Sequence, residues 1–321
     1  MDNAELIASV LNDWWYYSVE LAPGVMARGV DTPQTPMLPR MMLRNCNLRG
    51  MDCLDIGSME GLIPTLMCRQ GAKKVLATDA IPHCQKKMDV LRQVYGVNFD
   101  FQQVGLLYDL SAKLKDHGGF DFINLSGVLY HVYSPLHVLA GIRPLLKKGG
   151  LMVVSTNVMR REGYSLEFNN AGKLQTETNT FWYHSVPMLE YLLRYFNLVP
   201  LDFLYLPHSP VNPHNYVPGQ DSGYMSVVCR AVDEATTPNY PDPWAARTHI
   251  ASWEYLALCN REMMAKQPVS SISYRGDHDR ANAATDATGI TLMDHIMDPA
   301  RIVASVDDSR NSQFLHLSDM Y

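Results

Sequence analysis

A short apolar stretch that ends in an acid and runs into two glycines four residues apart limits this chain more than any other feature. The stretch is Cys53-Leu54-Asp55-Ile56-Gly57-Ser58-Met59-Glu60-Gly61, and Val75-Leu76-Ala77-Thr78-Asp79 follows it. A strand, a tight turn, a helix and a second strand ending in another acid make the front edge of a nucleotide-binding βαβ unit. Gly57 and Gly61 let the backbone turn sharply and approach a ligand with no Cβ in the way. Asp79 stands where a carboxylate can accept both hydroxyls of a ribose. The spacing is D-x-G-x-x-x-G, with Asp55 ahead of the first glycine, and not the dinucleotide G-x-G-x-x-G. No Lys-[Ser/Thr] pair follows, so the loop is a poor phosphate cradle. A nucleoside that lacks phosphate and carries a positive centre suits it better.

The rest of the chain extends the alternation. Strands are expected over 52–56, 74–78, 99–104, 120–125 and 151–157, the last rich in β-branched residues. Helices are expected over 61–70, 82–95, 110–115 and 134–146, with Gly71 and Lys147-Lys148-Gly149-Gly150 as stops. A helix over 186–196 and strands over 198–205 and 224–231 close the run. Parallel strands joined by helical crossovers give an α/β, Rossmann-like, doubly wound sheet, mostly parallel. A ligand belongs at the carboxyl ends of its first and fourth strands. Residues 1–24 read as one helix, because Ala4, Leu6, Ile7, Val10, Leu11, Trp14 and Trp15 recur at three- and four-residue steps. Residues 25–41 hold Pro33, Pro36 and Pro39 and are not expected to form one regular element. Residues 160–180 are polar and irregular. In the tail, residues 243–264 read as a helix, 266–287 as a polar stretch low in apolar content, and 290–306 as a return of apolar spacing. Three parts follow: an N-terminal helical and aromatic cap (1–45), the Rossmann-like domain (46–232) and a partly helical C-terminal extension (233–321).

The stretch from Asp55 to Asp79 resembles the first motif of class I methyltransferases, whose cofactor is S-adenosylmethionine. Trp15-Tyr16-Tyr17-Ser18-Val19-Glu20-Leu21 and Gly127-Val128-Leu129-Tyr130-His131-Val132-Tyr133-Ser134-Pro135-Leu136 are similar to paired motifs of one subgroup. That subgroup includes the tRNA wobble-uridine methyltransferase-like proteins and relatives in small-molecule pathways. The resemblance spans residues 12–230 and implies cofactor contacts at Asp55, Gly57, Ser58, Gly61, Asp79 and Ala80. It implies an adenine-side segment at Val104, Gly105 and Leu106, and Ser126 and Gly127 beside the transferred methyl. Tyr130 and His131 follow the fourth strand. Tyr130 reads as a pocket wall, and His131 as either a general base or a histidine that orients the loop. Trp15, Tyr16 and Tyr17, with Trp182, Tyr183 and His184, resemble substrate-lining segments, and packing onto the sheet is the plainer alternative for both groups. Glu60 and Met59 depart from the commoner pattern and receive no role.

Composition narrows the partners. The formal net charge is −6 over 321 residues, and the basic pairs Lys73-Lys74, Lys86-Lys87, Lys147-Lys148 and Arg160-Arg161 are scattered. Each pair reads as a solvated helix end or loop and not as an RNA track, so a small-molecule substrate is expected and nucleic acid is not. Six cysteines show no C-x-x-C pairing, and His208 and His214, six apart in a loop, are weak grounds for a metal, so none is expected. No signal pattern and no apolar run of about 18 residues occurs, so a cytoplasmic protein without a membrane partner is expected. The C-terminal extension is where a homo-oligomer contact would form. Methyl transfer to a small molecule is the leading reading. A tRNA wobble-uridine enzyme and a non-catalytic cofactor-binding scaffold are the alternatives.

Overall fold

The structure, a computed structural model, describes residues 3–29, 34–170, 174, 179–210, 216–233, 266–275 and 289–303. The chain opens with α1 (Asn3–Ala8), a hairpin of β1 (Val19–Ala22) and β2 (Val25–Ala27), and α2 (Gln34–Leu43). The alternating part is β3 (Asp52–Ile56), α3 (Leu62–Arg69), β4 (Lys74–Asp79), α4 (Gln85–Tyr95), β5 (Asp100–Gln103), α5 (Leu110–Lys113), β6 (Phe120–Ser126), α6 (Pro135–Ile142) and β7 (Leu146–Met159). Then come β8 (Leu166–Phe168), β9 (Trp182–Ser185), α7 (Val186–Tyr195), β10 (Leu198–Pro207) and β11 (Ser222–Ala231).

The main sheet runs β10-β11-β7-β6-β3-β4-β5, with β8 and β9 attached beside β7. Strands β3 through β7 pair in parallel, while β11 lies antiparallel to both β7 and β10. All seven residues of β6 are buried, as a strand covered on both faces requires. From β3 the chain steps outward through β4 and β5, then returns to the other side of β3 with β6. The crevice outside the carboxyl ends of β3 and β6 is therefore the switch point, as expected. One core packs α6 and α7 on one face of the sheet, and a second packs the N-terminal residues with α3 and α4 on the other.

Two expectations for the N-terminal region are corrected. Residues 1–24 do not form one helix. α1 stops at Ala8, and Trp15 folds back so that its indole N–H donates to the Val10 carbonyl at 2.9 Å. Pro23-Gly24 then turns the chain between β1 and β2, with Gly24 at φ 76°. The proline-rich stretch, in turn, contains the ten-residue helix α2, with Pro39 inside it. Burial of Met37, Leu38, Met42 and Leu43 outweighs the hydrogen bond that Pro39 cannot donate. β7 also begins earlier than expected. Leu146 pairs with Phe120 across a register shift, and Gly149 at φ 75° absorbs the irregularity.

The helix expected over 243–264 and the histidine at 214 lie outside the described residues. The polar reading of 266–287 needs correction where it is described, because Ile272 and Tyr274 are buried in the core. The other described part of the tail lies along β10: Ile290 N–H donates to the Pro200 carbonyl (2.9 Å), Tyr205 N–H to the Arg301 carbonyl (2.9 Å) and Val303 N–H to the Tyr205 carbonyl (2.8 Å). Glu190 of α7 anchors the first of these contacts. Its carboxylate accepts from Arg194 Nε (2.8 Å) and from the Leu292 amide (2.7 Å), while Arg194 Nη2 donates to the Ile290 carbonyl (2.8 Å). Glu190→Ala strands a buried guanidinium and an amide, and we expect it to cost about 3–5 kcal/mol. Thermal melts should show the loss, and limited proteolysis should cut residues 289–303 first. A variant that melts like the wild type would show that the anchor carries no weight.

Candidate active site

The carboxyl ends of four parallel strands meet at one edge. Register pairs Asp55 with Ala77 and Asn124, Asp79 with Gln103, and Ser126 with Ser155. The loops leaving these strands begin at Gly57, Ala80, Val104 and Gly127, so the expected cofactor residues come together. Gly57 sits at φ 78°, and a Cβ there would stand 2.5 Å from Val128 Cγ2. Gly61, at φ 93°, would press a Cβ against Met88 and Phe99 at 3.0 Å. Only glycine fits both places. The amides of Gly57 and Ser58 both donate to the Thr78 carbonyl, at 2.9 and 3.0 Å. Ser58 Oγ braces the turn by donating to the Asp55 carbonyl (3.2 Å) and accepting from the Thr78 amide (3.1 Å). Asp79 accepts from the Met59 amide at 2.8 Å and the Ile81 amide at 3.0 Å. Ala80 gives its carbonyl to Gln103 Nε2. Beyond β5, Gly105 stands at φ 62° in open space, and Leu106 is 67% exposed.

Asp55 is the electrostatic centre of this edge. It is 1% exposed; its Oδ1 accepts from Asn124 Nδ2 at 2.7 Å, and its Oδ2 has no hydrogen-bond partner. Burial pushes its pKa up from 3.8 to about 6, against the pull of Ser58 and Asn124. Asn124 passes the contact on. Ser126 Oγ donates to Asn124 Oδ1 (2.7 Å), and Ser155 and Ser226 continue the line at 2.9 and 2.7 Å.

A second layer closes over this edge. Gly127, at φ 74°, would bring a Cβ within 2.9 Å of Thr35 Cγ2, 3.6 Å of the Tyr130 hydroxyl and 3.9 Å of the Tyr224 hydroxyl. Tyr17 lies in the same neighbourhood. Burial raises its pKa well above 10, with further upward pushes from Tyr16, Glu60, Asp55 and Tyr224. Tyr130 packs against His131 with ring centroids 4.2 Å apart and planes tilted by 60°, and His131 Nδ1 hydrogen-bonds the Asn179 carbonyl at 2.8 Å. A carbonyl can only accept, so Nδ1 carries the proton of that bond.

The expected substrate-lining residues lie at different depths. Trp15 and Tyr183 are fully buried, Tyr183 in a small cluster with Met159 and Leu174. His184 is also fully buried; neither ring nitrogen has a hydrogen-bond partner, and burial lowers its pKa from 6.5 to about 4. Trp182 stays at the surface, donating to the Tyr133 carbonyl at 3.2 Å. The residues overlooked in sequence are Thr35, Glu60, Lys87, Asn124 and Tyr224. Lys87 was expected on a solvated helix end; it is buried instead, 3.4 Å from Glu60 Oε1. A polar residue inside the apolar run of β6 was the available signal for Asn124, and an acid between two glycines was the signal for Glu60.

These residues fit a nucleoside-bearing sulfonium. The carboxylate oxygen of Asp55 that lacks a donor, the glycine turn that a Cβ would fill and the acid ending β4 match what such a ligand presents. The raised pKa of Asp55 also has a stability consequence. Below about pH 4 the group is protonated whether the chain is folded or not. As pH rises through 6 the folded protein must ionise a buried group, so up to about 3 kcal/mol of stability is lost. Without cofactor, Asp55→Asn should therefore melt higher than the wild type at pH 7, and the gap should close toward pH 4. Calorimetry should show its affinity for S-adenosylhomocysteine falling about tenfold or more, as for a lost charge-assisted contact. Equal melting at pH 7 would contradict the burial argument.

Comparison with known proteins agrees with this geometry. A family model described as a methyltransferase domain matches residues 34–202, just over half the chain. The tRNA U34 carboxymethyltransferase of Helicobacter hepaticus is 24% identical over 214 residues, covering 65% of this chain and 67% of that protein. The ubiquinone biosynthesis O-methyltransferase of Xanthomonas euvesicatoria is 30% identical over 155 residues, covering 46% of this chain, which spans 58% of that relative's length. In fold, the N-terminal domain of EvdMO1, solved in the presence of SAH and D-fucose, superposes with a TM-score of 0.51 at 18% identity, covering 72% of this chain and 97% of that one. The chain belongs to the methyltransferase-domain family and is an S-adenosylmethionine-dependent methyltransferase.

Proposed function

We propose that the protein methylates a small molecule held between Tyr16, Tyr17, Tyr130 and Tyr224 above Gly127. The observation that carries this reading is the fate of the four basic pairs. Lys73-Lys74 sits at the start of β4, on the sheet edge away from the cofactor loops. Lys147 is tied to Asp121 and Asp52, and Lys148 to Asp233. Lys86 lies 3.9 Å from Asp13, and Lys87 is buried against Glu60. Arg160 and Arg161 reach the carboxyl edge but are paired with Asp221 and Glu167. A polyanion would find these cations remote or already neutralised. The ubiquinone-pathway relative acts on a small molecule and the tRNA-modifying relatives do not; the charge pattern supports the first type of acceptor.

The cofactor supplies an electrophilic methyl group, and the chain must place an acceptor atom in line with it. Positioning of that kind is worth several kcal/mol of barrier. Burial holds Tyr17 and Tyr224 as neutral hydroxyls, so they orient an acceptor by hydrogen bonds and do not serve as bases near pH 7. His131 is then the residue placed to take a proton if the acceptor is a hydroxyl or a protonated amine. Its bond to Asn179 and its packing against Tyr130 equally suit a residue that shapes the loop, and we favour that positioning role.

Two measurements test the reading. Incubation with labelled S-adenosylmethionine should transfer methyl to a component of a pool of amino acids, phenols and pathway intermediates. Label entering bulk tRNA instead would overturn the small-molecule proposal. Once an acceptor is known, His131→Asn should raise KM more than it lowers kcat. A drop of about 10²–10⁴ in kcat, with loss of a pH–rate limb near the histidine range, would make His131 the base instead.

A further inference from the structure

Glu60 stands on the cofactor turn between Gly57 and Gly61, yet its side chain faces away from the sheet and into the N-terminal segment. It is 0% exposed. Its Oε1 accepts the Tyr16 amide at 2.6 Å and its Oε2 the Tyr17 amide at 3.4 Å. Lys87 of α4 completes the arrangement. Its ammonium lies 3.4 Å from Glu60 Oε1, donates to the Trp14 carbonyl, and sits 5.3 and 5.1 Å from the ring centroids of Trp14 and Trp15. A buried ion pair adds little net stability over an apolar pair of the same volume, because desolvation offsets the attraction. What it does provide is geometry: two backbone amides and one carbonyl of residues 14–17 are held by charged groups in fixed places.

The turn itself links this arrangement to the cofactor. Asp79, the acid that ends β4, holds the Met59 amide at 2.8 Å. Met59 is in the left-handed region at φ 47°, which costs a non-glycine residue roughly 1 kcal/mol or more. The next residue is Glu60. A strained residue thus lies between the carboxylate that ends β4 and the carboxylate that holds the tyrosines.

We propose that Glu60 is a positioning residue that couples the two sites, so that cofactor occupancy of the Gly57–Gly61 turn sets Tyr16 and Tyr17 in place for the acceptor. The inference rests on the acceptor pocket proposed above. Glu60 already holds the tyrosine wall, and cofactor on the turn restricts its motion further.

Hydrogen–deuterium exchange across residues 12–20, with and without saturating S-adenosylhomocysteine, tests this in the full chain. In the wild type the ligand should slow exchange of this segment about tenfold. In a Glu60→Met/Lys87→Met double variant, which removes both charges of this pair together and so should fold, calorimetry should still show ligand binding within about threefold of the wild type. The slowing of residues 12–20 should be lost. Glu60→Gln keeps one acceptor for the Tyr16 amide and should recover part of it. Identical slowing in wild type and double variant would overturn the coupling, as would a wild type that binds ligand without any slowing. A wild type that gives no heat with S-adenosylhomocysteine would be a different failure, that of the cofactor site itself. An acceptor found to bind as tightly without cofactor as with it would also overturn the coupling, whereas no acceptor binding in the presence of cofactor would count against the pocket proposed above.

Discussion

A line of hydrogen bonds crosses the middle of the sheet and ends on one carboxylate. Ser126 must donate to Asn124, because Asn124 spends its own N–H on Asp55. Ser126 then has only acceptor capacity left for Ser155, and Ser155 in turn for Ser226. Every proton in the line therefore points the same way, from β11 through β7 and β6 to β3. Such a run is mutually polarised and stronger than its links taken singly. The hydrogen bond from Asn124 at its end also works against burial, which by itself pushes the Asp55 pKa up.

The same line constrains which residues can stand near the switch point. Alternation along a strand puts Asp55, Asn124, Ser126, Ser155, Ser226 and Tyr224 on one face, the face that the N-terminal segment covers. The opposite face at the same level carries Ile56, Leu125, Val154, Val227 and Met225, all inside the apolar core. A slip of one residue in any one of these strands would turn its polar members, Asn124 and Ser126 in β6 for example, into the apolar core. Register and site are thus one specification.

Most of the α/β core was legible in sequence because its signals are local. β3, β4 and β6 are apolar runs bounded by glycine or acid, and the helices between them stop at Gly71 and Gly96. The two N-terminal corrections have different causes. In residues 1–24 the apolar spacing suits a helix, but Pro23-Gly24 turns the chain and Gly24 stands at φ 76°. In α2, burial of four side chains overrides what Pro39 does to a helix in isolation. The site divides in the same way. Asp55, Gly57, Gly61 and Asp79 are contiguous with their strands and carry their geometry in the sequence. Thr35, Lys87 and Tyr224 matter only because distant segments meet, and no spacing in one dimension announces that.

The tail along β10 has a bearing on how the molecule behaves in company. β10 is ten residues long and ends one side of the sheet, with Leu198, Val199, Phe203, Tyr205 and Leu206 buried. Bare, it would be a row of unmet amides and carbonyls beside apolar side chains, the template on which foreign strands accrete into fibres. The segment around Ile290, Arg301 and Val303 occupies part of that row from within the same chain. At the far side, β5 is short and carries Asp100, Gln102 and Gln103, a poor seed. Residues 289–303 therefore act as a built-in chaperone for the sheet: by meeting part of the β10 backbone from within, they leave less of it for a second copy to pair with.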